Sequence, residues 1–167
     1  MVLNLKHRSL RDFANMSSHD MNTLLALARE LQSESRTGTN QRILRGKNLA
    51  VLCDTHENGD AALFLRAASP LGAQVAHLRP NLSELSTPQE VRHTARVLGR
   101  LYDAADCVGM APELVRRIGA DAGVPVFDGI TSSSHPTARL AGYLDADAAP
   151  DDRRCLVIQA VLLSALA

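Results

Sequence analysis

Hydrophobic and polar positions along this chain alternate between two periods. Met21, Leu24, Leu25, Ala28 and Leu31 recur at helical spacing behind Ser17 and Ser18, which can cap a helix, and Thr37-Gly38 ends the pattern. A polar stretch to Gly46 follows, then Leu49-Ala-Val-Leu-Cys53, a short unbroken apolar run that reads as a strand buried on both faces. The alternation repeats: a helix from about Gly59 to Leu71, a strand over Val75 to Leu78, and a helix from Pro88 to Tyr102. A strand near Asp106 to Val108, a helix from Pro112 to Ala122 and a strand from Val124 to Phe127 complete it. A Gly/Ser loop then leads to a helix starting near His135-Pro136, with Ser134 as a candidate cap. Strands alternating with helices imply right-handed crossovers. The predicted fold is therefore α/β, a three-layer open sheet of about four parallel strands flanked by helices.

Beyond Tyr143 the run from Asp145 to Asp152 is acidic and reads as the hinge of the chain. The final segment, Asp151 to Leu166, is apolar almost all round: Cys155, Leu156, Ile158, Val161, Leu162 and Leu166 spread over more than one helical face. Such a helix must be deeply packed or sit at an interface.

Length and charge narrow the function classes. At 167 residues the chain is one ordinary domain, long enough to bury a core without disulfides or metals. With 18 basic against 18 acidic side chains and no basic block, it lacks the signature of a nucleic-acid binder or of a polybasic membrane anchor. Cys53, Cys107 and Cys155 sit in apolar surroundings without CxxC spacing, which predicts neither a zinc site nor a disulfide framework. No signal-peptide core is seen, and the longest apolar run, Cys155 to Ala167, is too short to cross a bilayer. A cytoplasmic protein is expected.

Ligands of open α/β sheets bind beyond the carboxyl ends of the strands. The first such loop, Cys53-Asp-Thr-His-Glu-Asn-Gly-Asp60, carries Asp54, Glu57 and Asp60 and no Lys or Arg, the wrong sign for a phosphate cradle. Asn58 or Asp60 is placed to cap the following helix. His56 with its acidic neighbours could be read as a metal cluster, but the spacing is not diagnostic and a solvated acidic loop is the simpler reading. The second loop, Asp128 to Pro136, offers hydroxyls and His135 at the strand ends. No GxSxG elbow accompanies them, and His7, His19, His77 and His93 are scattered.

Three stretches carry a family resemblance. Thr94-Ala-Arg-Val-Leu-Gly-Arg-Leu-Tyr-Asp103, Gly123-Val-Pro-Val-Phe-Asp-Gly-Ile-Thr131 and His135-Pro-Thr137 resemble the carbamoyl-phosphate-binding domain of ornithine carbamoyltransferases. Gly46-Lys-Asn-Leu-Ala-Val-Leu52 fits that family's first strand, and the likeness is collinear from about Leu10 to Leu144. Asp152 to Leu166 looks like the family's C-terminal helix, which returns to pack on the first domain. The implied organisation is a carbamoyl-phosphate-binding-like domain over 1–144, an acidic linker over 145–150 in place of the ornithine domain, and a returning helix over 151–167.

The resemblance also implies a degenerate ligand pocket at Glu57, Asn58, Gly59, Asp60, Val108, His135, Thr137, Ala138 and Arg154, without catalytic or metal-binding residues and without a cofactor. The family's Ser-Thr-Arg-Thr-Arg phosphate motif falls on Glu57 to Ala61, so its two arginines are replaced. A third arginine corresponds to Val108, the glutamine of His-Pro-Thr-Gln to Ala138, and a phosphate-side lysine segment to Thr87-Pro-Gln-Glu90. His135 and Arg154, on the carbamoyl side, are retained. Charged hydrogen bonds contribute roughly 1.5–3 kcal/mol each, so losing three arginines weakens a bound dianion by about 5 kcal/mol or more. The expectation is a chain that does not transfer carbamoyl groups. It would act as an oligomerising structural or regulatory module, as a homotrimer or with an authentic carbamoyltransferase chain. The alternative is a small-molecule or metal-binding protein with a rebuilt pocket.

Overall fold

The computed structural model describes residue 13 and residues 15–39, 41–55 and 59–167. Helix α1 (Ser18–Thr37) begins in a capping box: Ser17 Oγ accepts the Asp20 N–H while the Asp20 carboxylate accepts the Ser17 N–H. It ends at Gly38, whose φ of 72° suits a residue without Cβ. Then come β1 (Asn48–Leu52), α2 (Gly59–Ala68), β2 (Gln74–Leu78), α3 (Pro88–Leu101), β3 (Ala104–Cys107), α4 (Pro112–Ala122), β4 (Val126–Asp128) and α5 (Pro150–Leu166).

The four strands form one parallel sheet in the order β2-β1-β3-β4, with Leu49 opposite Val75 and Ala104, and Ala105 opposite Val126. The fold is the expected three-layer α/β sheet. Successive strand residues face opposite layers. Leu49, Val51, Ala104 and Phe127 pack with α1, α2 and α5, whereas Ala50, Leu52, Ala105, Cys107 and Val126 pack with α3 and α4. Strand order reverses between β1 and β3, so the loops leaving their carboxyl ends diverge and open a crevice there. All three cysteines are buried and free.

α5 is core. Val157, Ile158, Val161 and Leu162 are at most 1% exposed, and the helix packs on α1, α2 and the segment before it. Each such side chain contributes roughly 1.5–3 kcal/mol. Gln159 Nε2 donates to Ala67 O at 3.0 Å, fastening α5 to the end of α2.

Several boundaries differ from the pattern reading. α2 stops at Ala68 and a 3₁₀ turn, Ser69–Leu71, contains Pro70. β4 starts at Val126 because Pro125 has no N–H for the ladder, although its carbonyl still accepts the Ala105 N–H at 3.0 Å. β3 spans Ala104–Cys107, with Val108 adding one bond to Leu52 O. The helix after His135 is a 3₁₀ segment, Pro136–Tyr143, and His135, not Ser134, caps it. The expected hinge is pinned. Gln32 accepts the Asp145 N–H at 3.2 Å and donates to Asp145 O at 3.4 Å, and Arg36 pairs with Asp145 at 2.9 Å.

Candidate functional site

Three segments converge at the carboxyl edge of the sheet: the first turn of α2, the loop from Gly129 to His135, and the first turns of α5. Asp60 is the second residue of α2, inside its first turn and not at the cap, where its charge suits the positive helix end. Asp151 and Arg154 come from α5.

The 129–135 loop is clamped from two sides at one residue. Asp106, fully buried on β3, accepts the Ile130 N–H through Oδ1 at 3.1 Å. Arg154 Nη2 donates to Ile130 O at 3.1 Å and to Ser132 O at 3.3 Å. Burial raises the Asp106 pKa to about 7; the Ile130 and Gly129 amides oppose that rise, and Asp128 and Asp60 add to it. Burial lowers Arg154 from the usual guanidinium range, and the Asp60 charge partly restores it.

His135 is 3% exposed. Its Nδ1 accepts the Thr137 N–H at 3.3 Å and lies 2.8 Å from the Thr137 hydroxyl, which assigns the ring proton to Nε2. Burial, and then the Arg154 charge, pull its pKa down to about 4, so the ring is neutral at physiological pH. The Phe13 ring packs against it edge-on at 4.9 Å between centroids.

Four buried polar atoms here lack a hydrogen-bond partner among the described residues: Asp106 Oδ2, Thr131 Oγ1, His135 Nε2 and Arg154 Nη1. Thr131, His135 and Arg154 line a cavity of about 640 Å³ together with Asp60, Ala138 and Asp151. Arg139 also lines it, so its charged groups among the described residues are two carboxylates and two guanidiniums. That balance does not suit a dianion. The Nε2–H and Nη1–H donors suit a carbonyl or carboxylate oxygen.

Of the residues expected in the pocket, Asp60, His135, Ala138 and Arg154 meet at this cavity. Gly59 is exposed at the start of α2. Val108 is buried in the core and Thr137 behind His135, so neither lines the cavity. Glu57, Asn58 and His56 lie outside the described residues. Among the described residues no group of three His, Cys, Asp or Glu is arranged to hold a metal. Thr87 and Glu90, in the segment matched to the family's lysine, form the capping box of α3. Pattern reading missed Asp106, Thr131, Arg139 and Asp151. Asp106 had a signal, a lone acid inside the apolar run Ala-Ala-Asp-Cys-Val108.

A second hollow of about 400 Å³, between α1, α2 and α5, contains none of the expected residues. Its Arg66 and Asp152 are paired with each other.

Residues 8–146 match the family model described as aspartate/ornithine carbamoyltransferase, carbamoyl-P binding domain. The ornithine carbamoyltransferase of Haemophilus influenzae (strain PittGG) is 37% identical over 144 residues, 86% of this chain and 43% of the relative. That of Cutibacterium acnes is 38% identical over the same shares. The ornithine carbamoyltransferase structure from Pyrococcus furiosus superposes with a TM-score of 0.70 at 26% identity, covering 85% of this chain and 45% of that one. An aspartate transcarbamoylase of Trypanosoma cruzi in complex with phosphate shares the fold, with a TM-score of 0.67 at 21% identity over 83% of this chain and 44% of that one. The chain spans less than half the length of these relatives.

Proposed function

The chain belongs to the aspartate/ornithine carbamoyltransferase family, and from that premise we propose a member that does not transfer carbamoyl groups and binds a small carbonyl-bearing molecule in its strand-end cavity. One observation carries this reading: His135 Nε2 and Arg154 Nη1 are buried donors without a partner among the described residues, beside a cavity whose described carboxylates and guanidiniums balance. An unpaired buried donor costs about 1–3 kcal/mol, and a ligand carbonyl relieves that cost for both. A neutral amide or a monocarboxylate fits. A phosphate dianion would lie against Asp60 and Asp151, which supply the wrong charge. Transfer chemistry needs donors preorganised around the developing charge, and these carboxylates oppose it.

The test is a thermal-shift panel with carbamoyl phosphate, inorganic phosphate, simple carboxamides, monocarboxylates, ornithine, arginine, polyamines and divalent metals. A ligand at 100 times its dissociation constant adds about 2.7 kcal/mol of stability. The reading expects carboxamides or monocarboxylates to raise the melting temperature, and Arg154→Met to abolish the shift. Preferential stabilisation by carbamoyl phosphate, or citrulline formation from carbamoyl phosphate and ornithine, would overturn it.

Assembly is the second part of the proposal. Leu85 is 94% exposed just ahead of the α3 cap. It supports a homotrimer, or mixed assembly with an authentic carbamoyltransferase chain in the cytoplasm. Light scattering with and without a co-expressed carbamoyltransferase checks this; a monomer in both samples refutes it. No helix among the described residues is long and apolar enough to cross a membrane.

A further inference from the structure

Helix α3 buries Val91, Ala95 and Leu98 against the sheet and α4, and turns a two-ridged face outward. Arg92, Arg96 and Arg100 occupy successive i, i+4 positions and are all exposed. Beside them run His93, Val97 and Leu101, the last two 39% and 60% exposed. Among the described residues the ion pairs engage Arg36, Lys47, Arg66 and Arg116, and none involves these three arginines. The one carboxylate of α3, Glu90, is committed to its capping box. Like charges one turn apart disfavour a helix. A chain with zero net charge thus concentrates three uncompensated guanidiniums on one helix face, next to an apolar edge.

We propose that this face of α3 docks an acidic amphipathic helix of a partner protein. Carboxylates at every fourth position would meet Arg92, Arg96 and Arg100, and a short apolar stripe would cover Val97 and Leu101. Four residues rise about 6 Å in either helix, so the two rows stay in register over two turns. The guanidinium fork matches a carboxylate through two parallel hydrogen bonds. The ridges carry no Phe, Tyr or Trp on which bases could stack or which could seat in a lipid interface.

The probe is a fluorescein-labelled peptide of about 20 residues, long enough to be helical in isolation. It carries Glu at every fourth position beside a Leu row, and is read by anisotropy against its sequence-scrambled isomer. The ridged peptide is expected to bind more tightly than the isomer, and binding should fade at about 0.5 M salt, where screening is within a few Å. Reversing all three arginines (R92E, R96E and R100E together) should weaken it by about 20-fold, since each exposed pair contributes a few-fold. The same variant should then bind a Lys-ridged peptide. Leu101→Ser should weaken the Glu-ridged peptide several-fold with unchanged circular dichroism. Equal affinity for ridged and scrambled peptides overturns the proposal, as does tighter binding of phosphatidylserine vesicles or of a single-stranded oligonucleotide.

Discussion

Asp106→Asn isolates the energetic signature of the buried carboxylate. In the folded chain Asp106 has a pKa of about 7 against 3.8 for the free side chain. The folded state therefore holds a proton that the unfolded state has released between those values. Stability is fully present below pH 3.8, declines as pH rises, and levels off above about 7. The full span is about 4 kcal/mol, and the part falling between pH 5 and pH 8 is about 3 kcal/mol. An asparagine keeps a carbonyl to accept the Ile130 N–H and places an amide NH₂ at Oδ2, which has no partner. That unpaired donor costs about 2 kcal/mol at every pH. The two effects nearly cancel at pH 5, where charging has cost the wild type only about 2 kcal/mol. At pH 8 the variant should be more stable by about 2 kcal/mol. Urea unfolding followed by far-ultraviolet circular dichroism, at constant ionic strength, measures the gap. Subtracting the two proteins removes every other titration. A gap constant within about 0.5 kcal/mol between pH 5 and pH 8 would refute a carboxyl that titrates near neutrality. A gap that moves in favour of the wild type as pH rises would mean that the fold stabilises the anion.

A second buried titratable group runs in the opposite sense. His135 falls from 6.5 to about 4 on folding, so its contribution is present above pH 6.5 and lost as pH falls towards 4; His135→Gln should flatten that acid limb by about 3 kcal/mol in the same urea series. Gly99→Ala would set a Cβ 1.8 Å from Ala122 O where α3 meets α4, and should lower unfolding free energy by about 3 kcal/mol, read from the urea midpoint. Gln32→Ala removes both bonds to the Asp145 backbone; about 2 kcal/mol of stability should go, with faster cleavage at residues 145–149 in limited proteolysis.

Much of the fold was legible because its signals are local. The unbroken Leu49 to Cys53 run is a strand buried on both faces, and Ser17 marks a helix start whatever packs on it later. What failed was also local. Spacing alone does not separate i+3 from i+4 bonding over the two or three turns after His135, so a 3₁₀ segment was read as an ordinary helix. The acidic run after Leu144 looked mobile because nothing in its own composition shows Gln32 and Arg36, more than a hundred residues earlier, reaching its backbone and side chains.

The site divides along the same line. Asp60, in the first turn of α2, and His135, on a strand-end loop, lie at the carboxyl edge of the sheet, where topology alone directs attention. Arg154 was reached only through family resemblance, since its role rests on two carbonyls of a loop 22 and 24 residues away. Asp106 depends on burial, which turns an ordinary acid into one half of a clamp. Ile130 joins the two halves, its N–H on the Asp106 carboxylate and its carbonyl on the Arg154 guanidinium. Loop position and donor position are therefore coupled through one peptide unit. Charging Asp106 strengthens its grip on the Ile130 amide, while occupying Arg154 Nη1 leaves Nη2 to hold the carbonyl side. Ligand affinity at the cavity should accordingly follow the Asp106 protonation state even though Asp106 does not line the cavity.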